Sequence, residues 1–173
     1  MMCLLLVAPQ ARAGEVSDIA KEAQAAWRAG DGETLIKIAH PKLIARMAQL
    51  QQAWLEQEVN HTGGRSWIKF PANAPTIERF KALPLADQAR SFLDCMHEIL
   101  AGHAGFTFTC DAVDESIAGA NATVTVIEHQ TATGGTRDVR YPFVVEQVDG
   151  RWRYVSGGSE RVHVEMQLMS LAP

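Results

Sequence analysis

The order of apolar and polar residues divides the chain into a helical half followed by a strand half. From Val16 to Leu100 the apolar residues recur every three or four positions, which is typical of helices with one buried face. From Phe106 onward apolar and polar residues alternate, which is typical of strands with one buried face. Helices followed by a run of antiparallel strands predict an α+β domain.

Glycines and prolines separate the helical half into segments. Gly30 is expected to end the first helix, and Ser17 is expected to cap its start. Pro41 fits the first turn of a later helix. Further prolines between positions 70 and 85 leave room only for a short helix there. The predicted helices span Val16–Ala29, Glu33–Ala39, Lys42–Val59 and Leu85–Leu100, with the short piece around Ile77, Phe80 and Leu83.

The strand half holds four predicted strands and a tail that alternates again. Pro142 is expected to make a local irregularity or a bulge, and Asp149-Gly150 is a strong hairpin turn signal. The tail Val162–Leu168 fits either a fifth strand or an extension of the fourth. A curved antiparallel sheet with the N-terminal helices packed on its concave face would leave a cone-shaped cavity. The predicted strands span Phe106–Ala112, Ala122–Thr131, Asp138–Val148 and Arg151–Ser156.

Composition narrows the class of protein. The 173 residues fit one domain, and 47% hydrophobic residues exclude a disordered chain. Lys and Arg total 16 against 20 Asp and Glu, which gives a net charge of −4. Because no basic cluster is present, the sequence lacks the electrostatic pattern of nucleic-acid binding.

The N-terminus has the features of a signal peptide. The apolar run Met1–Ala8 is followed by Ala11-Arg12-Ala13, which has the small residues that signal peptidase requires. No basic residue precedes the apolar run, so the signal is expected to be truncated at its start. We therefore expect residues 1–13 to be removed and residues 14–173 to form one periplasmic or secreted domain. The alternative is the apolar start of a cytosolic helix.

Two cysteines remain after that cleavage, Cys95 and Cys110. In an oxidising compartment an even pair predicts a disulfide. Two buried free thiols are the alternative, because cysteine is common in protein cores.

Two segments resemble the nuclear transport factor 2-like (NTF2-like) superfamily, which includes SnoaL-like proteins and shares a cystatin-like cone. The segment AWRAGDGETLIKIAHPKLIARM, residues 26–47, is similar to a family opening in which a helix ends in a Gly-Asp turn before a short helix. The segment YPFVVEQVDGRWRYVSG, residues 141–157, is similar to the family's last hairpin. The resemblance implies the cone fold and, in many members, a homodimer.

The resemblance does not extend to the catalytic residues of the ketosteroid isomerases in this superfamily. With Asp31 placed on the Gly-Asp turn, the isomerase tyrosine falls at Ala23, the base near Met47 and the oxyanion-hole acid near Val144. That reaction needs a carboxylate base and an oxyanion donor pair, so we do not expect it here.

One other group of residues has the types needed for acid–base catalysis. Asp94 and His97 lie three positions apart on a predicted helix, so they share a face. A carboxylate beside an imidazole is a general-base arrangement, and His129 could point into the same cavity. The alternative is an exposed helical pair beside a solvated strand histidine.

The sequence indicates neither a metal site nor a cofactor site. Glu128-His129 and the pair His163 and Glu165 are short ligand pairs, whereas a metal site needs three or four converging ligands. No glycine-rich nucleotide motif is present, so no cofactor is expected. Aromatic residues of the helical half are candidates for the lining of an apolar ligand pocket, with plain core as the alternative. They are Trp27, Trp54, Trp67, Phe70, Phe80 and Phe92.

The first functional hypothesis is an exported, non-catalytic domain that binds a small apolar molecule or serves as an interaction module. The alternative is a lyase, cyclase or isomerase that uses Asp94, His97 and His129 on a small cyclic apolar substrate. A homodimer is expected from the resemblance alone. Neither nucleic acid nor a membrane is expected as a partner of the mature domain.

Overall fold

The computed structural model describes residues 14–60, 68–101, 107–132 and 135–156. Five helices precede four strands, so the predicted α+β class is confirmed. The helices are α1 (Glu15–Ala29), α2 (Gly32–Ile38), α3 (Pro41–Asn60), α4 (Ile77–Lys81) and α5 (Leu85–Ala101). The strands are β1 (Thr107–Ala118), β2 (Asn121–Ala132), β3 (Gly135–Val148) and β4 (Arg151–Ser156).

The strands form one antiparallel sheet in the order β1-β2-β3-β4. The sheet is curved and does not close, and α1 lies against β1, β2 and β4. Period-two alternation decides which side chains face the helices. On β2, Ala122, Val124 and Val126 are buried, while Thr123 and Thr125 between them face the other way and are half-buried.

Two details of the sheet differ from the sequence prediction. β1 continues to Ala118, past a register shift between Ala112 and Asp114 that leaves Val113 out of the pairing. Pro142 makes no bulge, because it pairs in regular register with Thr125. β4 pairs only with Val144–Val148, so Pro142 lies beyond the β4-paired part of β3, where a missing N–H breaks none of the β3–β4 pairs. The predicted tail strand, Val162–Leu168, lies outside the described residues.

The start of α1 is held by a residue from the sheet. Gly14 is the N-cap, so the prediction of Ser17 in that position is wrong. Ser17 lies in the first turn, and its backbone N–H and hydroxyl donate to Glu115 Oε2 on β1, at 3.0 and 2.7 Å. A carboxylate thus satisfies an N–H group that the helix itself leaves unpaired.

His40 joins α2, α3 and the sheet. Its N–H donates to the carbonyl oxygen of Tyr154 at 2.7 Å, and its Nδ1 accepts from the Lys42 N–H at 3.0 Å. Its Nε2 lies 3.4 Å from a Glu146 oxygen. The imidazole is buried, so these contacts fix the angle between α2 and α3 at the His40-Pro41 step.

The main core lies between the helices and the sheet. Trp54 and Phe92 pack α3 against α5 with ring centroids 5.1 Å apart, and Phe143 stacks on Tyr154 at 4.6 Å. A second cluster of Leu55, Ala74 and Phe80 holds the proline-rich segment against α3. Within the described ranges, no helix is both long enough and apolar enough to span a bilayer.

Candidate functional site

The interior of the cone is almost filled by side chains. Trp27, Trp54, Phe80 and Phe92 are each at most 7% exposed and belong to the core. A cavity of about 40 Å³ remains between Trp27, Met47, Phe92, Tyr154 and their neighbours. Ligand pockets usually measure about 300–1,000 Å³, so this space admits little more than one water molecule.

A groove of ligand size lies outside the cone, against α5. Its volume is about 500 Å³. One wall is a single face of α5, formed by Asp87, Arg90, Ser91, Asp94, Cys95 and Glu98. The other wall consists of Lys69, Phe70, Pro71, Asn73 and Leu83. Of the predicted pocket aromatics, Phe70 therefore lines a pocket of useful size, and Trp67 lies outside the described residues.

The α5 groove combines an apolar base with charged edges. Phe70 and Leu83 also pack on the second core cluster, which fixes the wall they form. The carboxylates are Asp87, Asp94 and Glu98, and the cations are Lys69 and Arg90. Burial and the nearby Glu98 carboxylate raise the pKa of the Cys95 thiol to about 11. Cys95 thus contributes a neutral thiol to the wall, and a thiolate nucleophile is disfavoured.

Asp94 and His97 both lie beside the turn that joins α1 to α2. A Cβ on Gly30 would come within 2.7 Å of the His97 ring, and a Cβ on Gly32 would lie 3.7 Å from Asp94 Oδ1. Gly30 has a φ of 68°, so it needs to be glycine both for its conformation and for its contact with His97. Both side chains are exposed, which is the arrangement expected of an ordinary helix surface.

The structure does not bring His129 together with Asp94 and His97. His129 alternates with the buried Glu128, so its side chain leaves the sheet on the face away from the helices. There it contacts Asp138 at 2.7 Å and Asp111 at 3.1 Å. The expectation of one cavity that contains all three side chains is therefore wrong.

Cys95 and Cys110 are both free thiols, so the structure contains no disulfide between them. Cys95 lies on α5 in the core and the groove wall. Cys110 lies on β1, where its Sγ is 3.5 Å from Gln24 Oε1 and 3.8 Å from the Tyr141 hydroxyl. The two thiols thus have separate environments, and burial is the main cause that raises the pKa of Cys110.

Sequence reasoning missed a buried carboxylate inside the cone. Glu128 is 1% exposed, and its oxygens accept hydrogen bonds from the Gln130 amide and, at 3.4 Å, from the Tyr141 hydroxyl. Gln24, from α1, is also buried, and its Nε2 has no hydrogen-bond partner among the described residues. Alternation with Val124 and Val126 was the signal for this placement, because it puts position 128 on the buried face.

In the part of the chain that the structure describes, no three His, Cys, Asp or Glu side chains are grouped as metal ligands. Asp31 lies on the α1–α2 turn near the groove, and it caps α2 by accepting the Thr34 N–H at 3.0 Å. This backbone hydrogen bond is the largest cause that lowers the pKa of Asp31. The chemistry offered by the α5 groove is hydrogen bonding, charge and apolar contact.

No protein-family model matches the chain, and no curated protein matches it by sequence. Solved structures share its shape at low identity. A protein assigned as an NTF2-like transpeptidase from Campylobacter jejuni is 10% identical, with 82% of this chain and 97% of that chain covered and a TM-score of 0.43. A domain with a cystatin-like fold from Nostoc punctiforme is 13% identical, with 94% and 90% covered and a TM-score of 0.40.

An LEH-like epoxide hydrolase from M. tuberculosis is also 13% identical, with 90% and 96% of the two chains covered and a TM-score of 0.39. These likenesses concern shape only, and the activities named belong to those proteins. In this chain itself, helices are followed by a curved, unclosed sheet of four antiparallel strands, which is the α+β architecture that the sequence predicted.

Proposed function

We propose that the protein is a non-catalytic binding module whose ligand lies in the α5 groove rather than inside the cone. The observation that supports this most directly is the difference in volume, about 500 Å³ for the groove and about 40 Å³ for the cone cavity. Of these two spaces, the groove is the one with room for a small molecule. The enzyme alternative loses the third of its three residues, because His129 lies on the other face of the sheet.

The lining of the groove indicates the class of ligand. Phe70, Pro71 and Leu83 offer an apolar surface, while Lys69 and Arg90 offer charge-assisted hydrogen bonds. Ser91 and Asn73 add neutral polar groups. An amphiphilic molecule satisfies both kinds of contact when its polar or anionic group lies beside Lys69 or Arg90 and away from the carboxylates of Asp87, Asp94 and Glu98.

A groove-filling substitution tests this proposal with the fluorescent probe anilinonaphthalene sulfonate, which has apolar rings and one anionic group. Ser91→Trp places a large side chain in the groove, and we expect it to weaken probe binding at least about tenfold, or roughly 1.4 kcal/mol. Ala25→Trp is the matched control, because Ala25 is an exposed helical position on α1. Equal binding by the wild type and both variants, with unchanged circular dichroism, would contradict the proposal.

We also propose that the domain is exported to the periplasm or secreted. The apolar segment Met1–Ala8 and the Ala11-Arg12-Ala13 site support this. A homodimer through the face of the sheet away from the helices is part of the same proposal. That face presents half-buried Ile127, Val144 and Val155.

A further inference from the structure

One histidine on the outer face of the sheet is bound by carboxylates from both neighbouring strands. His129 on β2 lies between Asp111 on β1 and Asp138 on β3. Its Nδ1 is 2.7 Å from Asp138 Oδ1, and its Nε2 is 3.1 Å from Asp111 Oδ2. A single imidazole therefore connects three strands near one end of the sheet.

This geometry requires a protonated ring. A neutral imidazole has one N–H, so its second nitrogen would turn a lone pair toward an ionised carboxylate. An imidazolium donates from both nitrogens and satisfies both carboxylates. The hydrogen bonds to Asp138 and then Asp111 accordingly raise the pKa of His129 above its usual value of 6.5.

Among the residues that the structure describes, the neighbours of this histidine on the outer face are these. Thr109 and Asp138 are the register partners of His129, and Thr131 is two positions along β2 on the same face. Arg140, on β3, is the nearest cation by strand position, since it is two residues from Asp138 on that face. The helices pack on the opposite face, so they contribute no titratable group here.

We propose that Asp111, His129 and Asp138 form a proton-dependent brace that holds the ends of β1, β2 and β3 together and releases them as the pH rises. A group whose pKa is raised on folding stabilises the fold fully below its unfolded pKa. That contribution is lost as the pH rises through the folded pKa. The brace is therefore present below the ordinary histidine pKa of 6.5 and is lost as the pH rises through the folded pKa of His129, when the ring gives up one proton.

Nuclear magnetic resonance of the whole chain tests the brace. We expect the His129 ring to titrate above 6.5 and to carry protons on both nitrogens at pH 6. Amide protection factors at residues 109–111, 129–131 and 136–138 should fall over the same pH range. Proton binding and folding are thermodynamically linked. The protection factors should therefore fall by up to roughly tenfold for each pH unit by which folding raises the pKa of His129.

Variants separate the brace from general pH effects. His129→Gln should remove the pH dependence of these protection factors, and Asp138→Asn should return the pKa of His129 toward 6.5. His97→Gln is the matched control, since it replaces a histidine on α5, away from this face of the sheet, and should leave the pH dependence intact. A His129 pKa at or below 6.5, or protection factors with the same pH profile in His129→Gln, would overturn the proposal. If His129→Gln does not fold, Asp138→Asn decides the question through the pKa alone.

Discussion

At the scale of single residues, side-chain direction in a regular strand was predictable, but tertiary neighbours were not. Alternation with Val124 and Val126 is enough to place Glu128 toward the helices and His129 away from them. The contact of His97 with Gly30 depends on how α5 packs against the α1–α2 turn, and local sequence contains no signal for that.

The Gly30 contact gives a prediction with an internal control. Gly30→Ala requires an alanine to adopt the left-handed backbone region, and it places the new Cβ against the His97 ring. Gly119 has a similar φ of 63°, and a Cβ added there would meet no atom within 4 Å, so Gly119→Ala tests the conformational cost alone. We expect about 1–2 kcal/mol of destabilisation for Gly119→Ala, and about 1–3 kcal/mol more for Gly30→Ala.

Urea unfolding measures both free energies. In the His97→Ala background the excess cost of Gly30→Ala should largely disappear, because the contacting ring is gone. An excess that persists unchanged in that background would show that His97 does not pack on this turn.

At the scale of elements, the helices and strands were predicted well because each shows a characteristic spacing of apolar residues, and that spacing can be read from neighbouring positions in the chain. β1 was predicted too short, since the bulge at Val113 breaks the alternation beyond Ala112. The sequence predicted Ser17 as the N-cap of α1 because sequence rules for helix caps consider only residues that are close to the helix along the chain. The actual partner, Glu115, comes from 98 positions along the chain.

The Glu115 cap predicts a loss of stability on its removal. Glu115→Ala leaves the Ser17 N–H without its carboxylate partner, so we expect about 0.5–2 kcal/mol of destabilisation. Glu22→Ala, at an exposed position in the middle of α1, should change stability by less than about 0.5 kcal/mol. Thermal unfolding followed by circular dichroism compares the two variants. Similar small losses in both would contradict the capping role.

At the scale of the whole molecule, the fold could be predicted while the binding site could not. The sequence placed Phe70 with five other aromatics in one pocket. The structure divides that set, because only packing determines which aromatics fill the core and which border a groove. The α5 groove joins segment 69–73 to one face of a helix more than ten residues away, and no local motif encodes that pairing.

Export and dimerisation make a joint prediction at this scale. Native mass spectrometry of protein recovered from the secretory fraction should give a chain that begins at Gly14, in a dimer. Ile127→Lys places a charge on the outer face of the sheet and should yield monomers, whereas Lys37→Glu, at an exposed position on α2, should not. A wild-type monomer at all concentrations, or an uncleaved N-terminus, would contradict the corresponding part of the proposal.

The most direct test of the central claim is to map a bound probe residue by residue. Backbone amide shifts, recorded during titration with anilinonaphthalene sulfonate, report which surface the probe contacts. If the ligand lies in the α5 groove, saturable changes are expected at residues 69–73 and along α5 from Asp87 to Glu98. Changes centred instead on Trp27, Met47 and Tyr154 would place the ligand inside the cone and contradict a groove site.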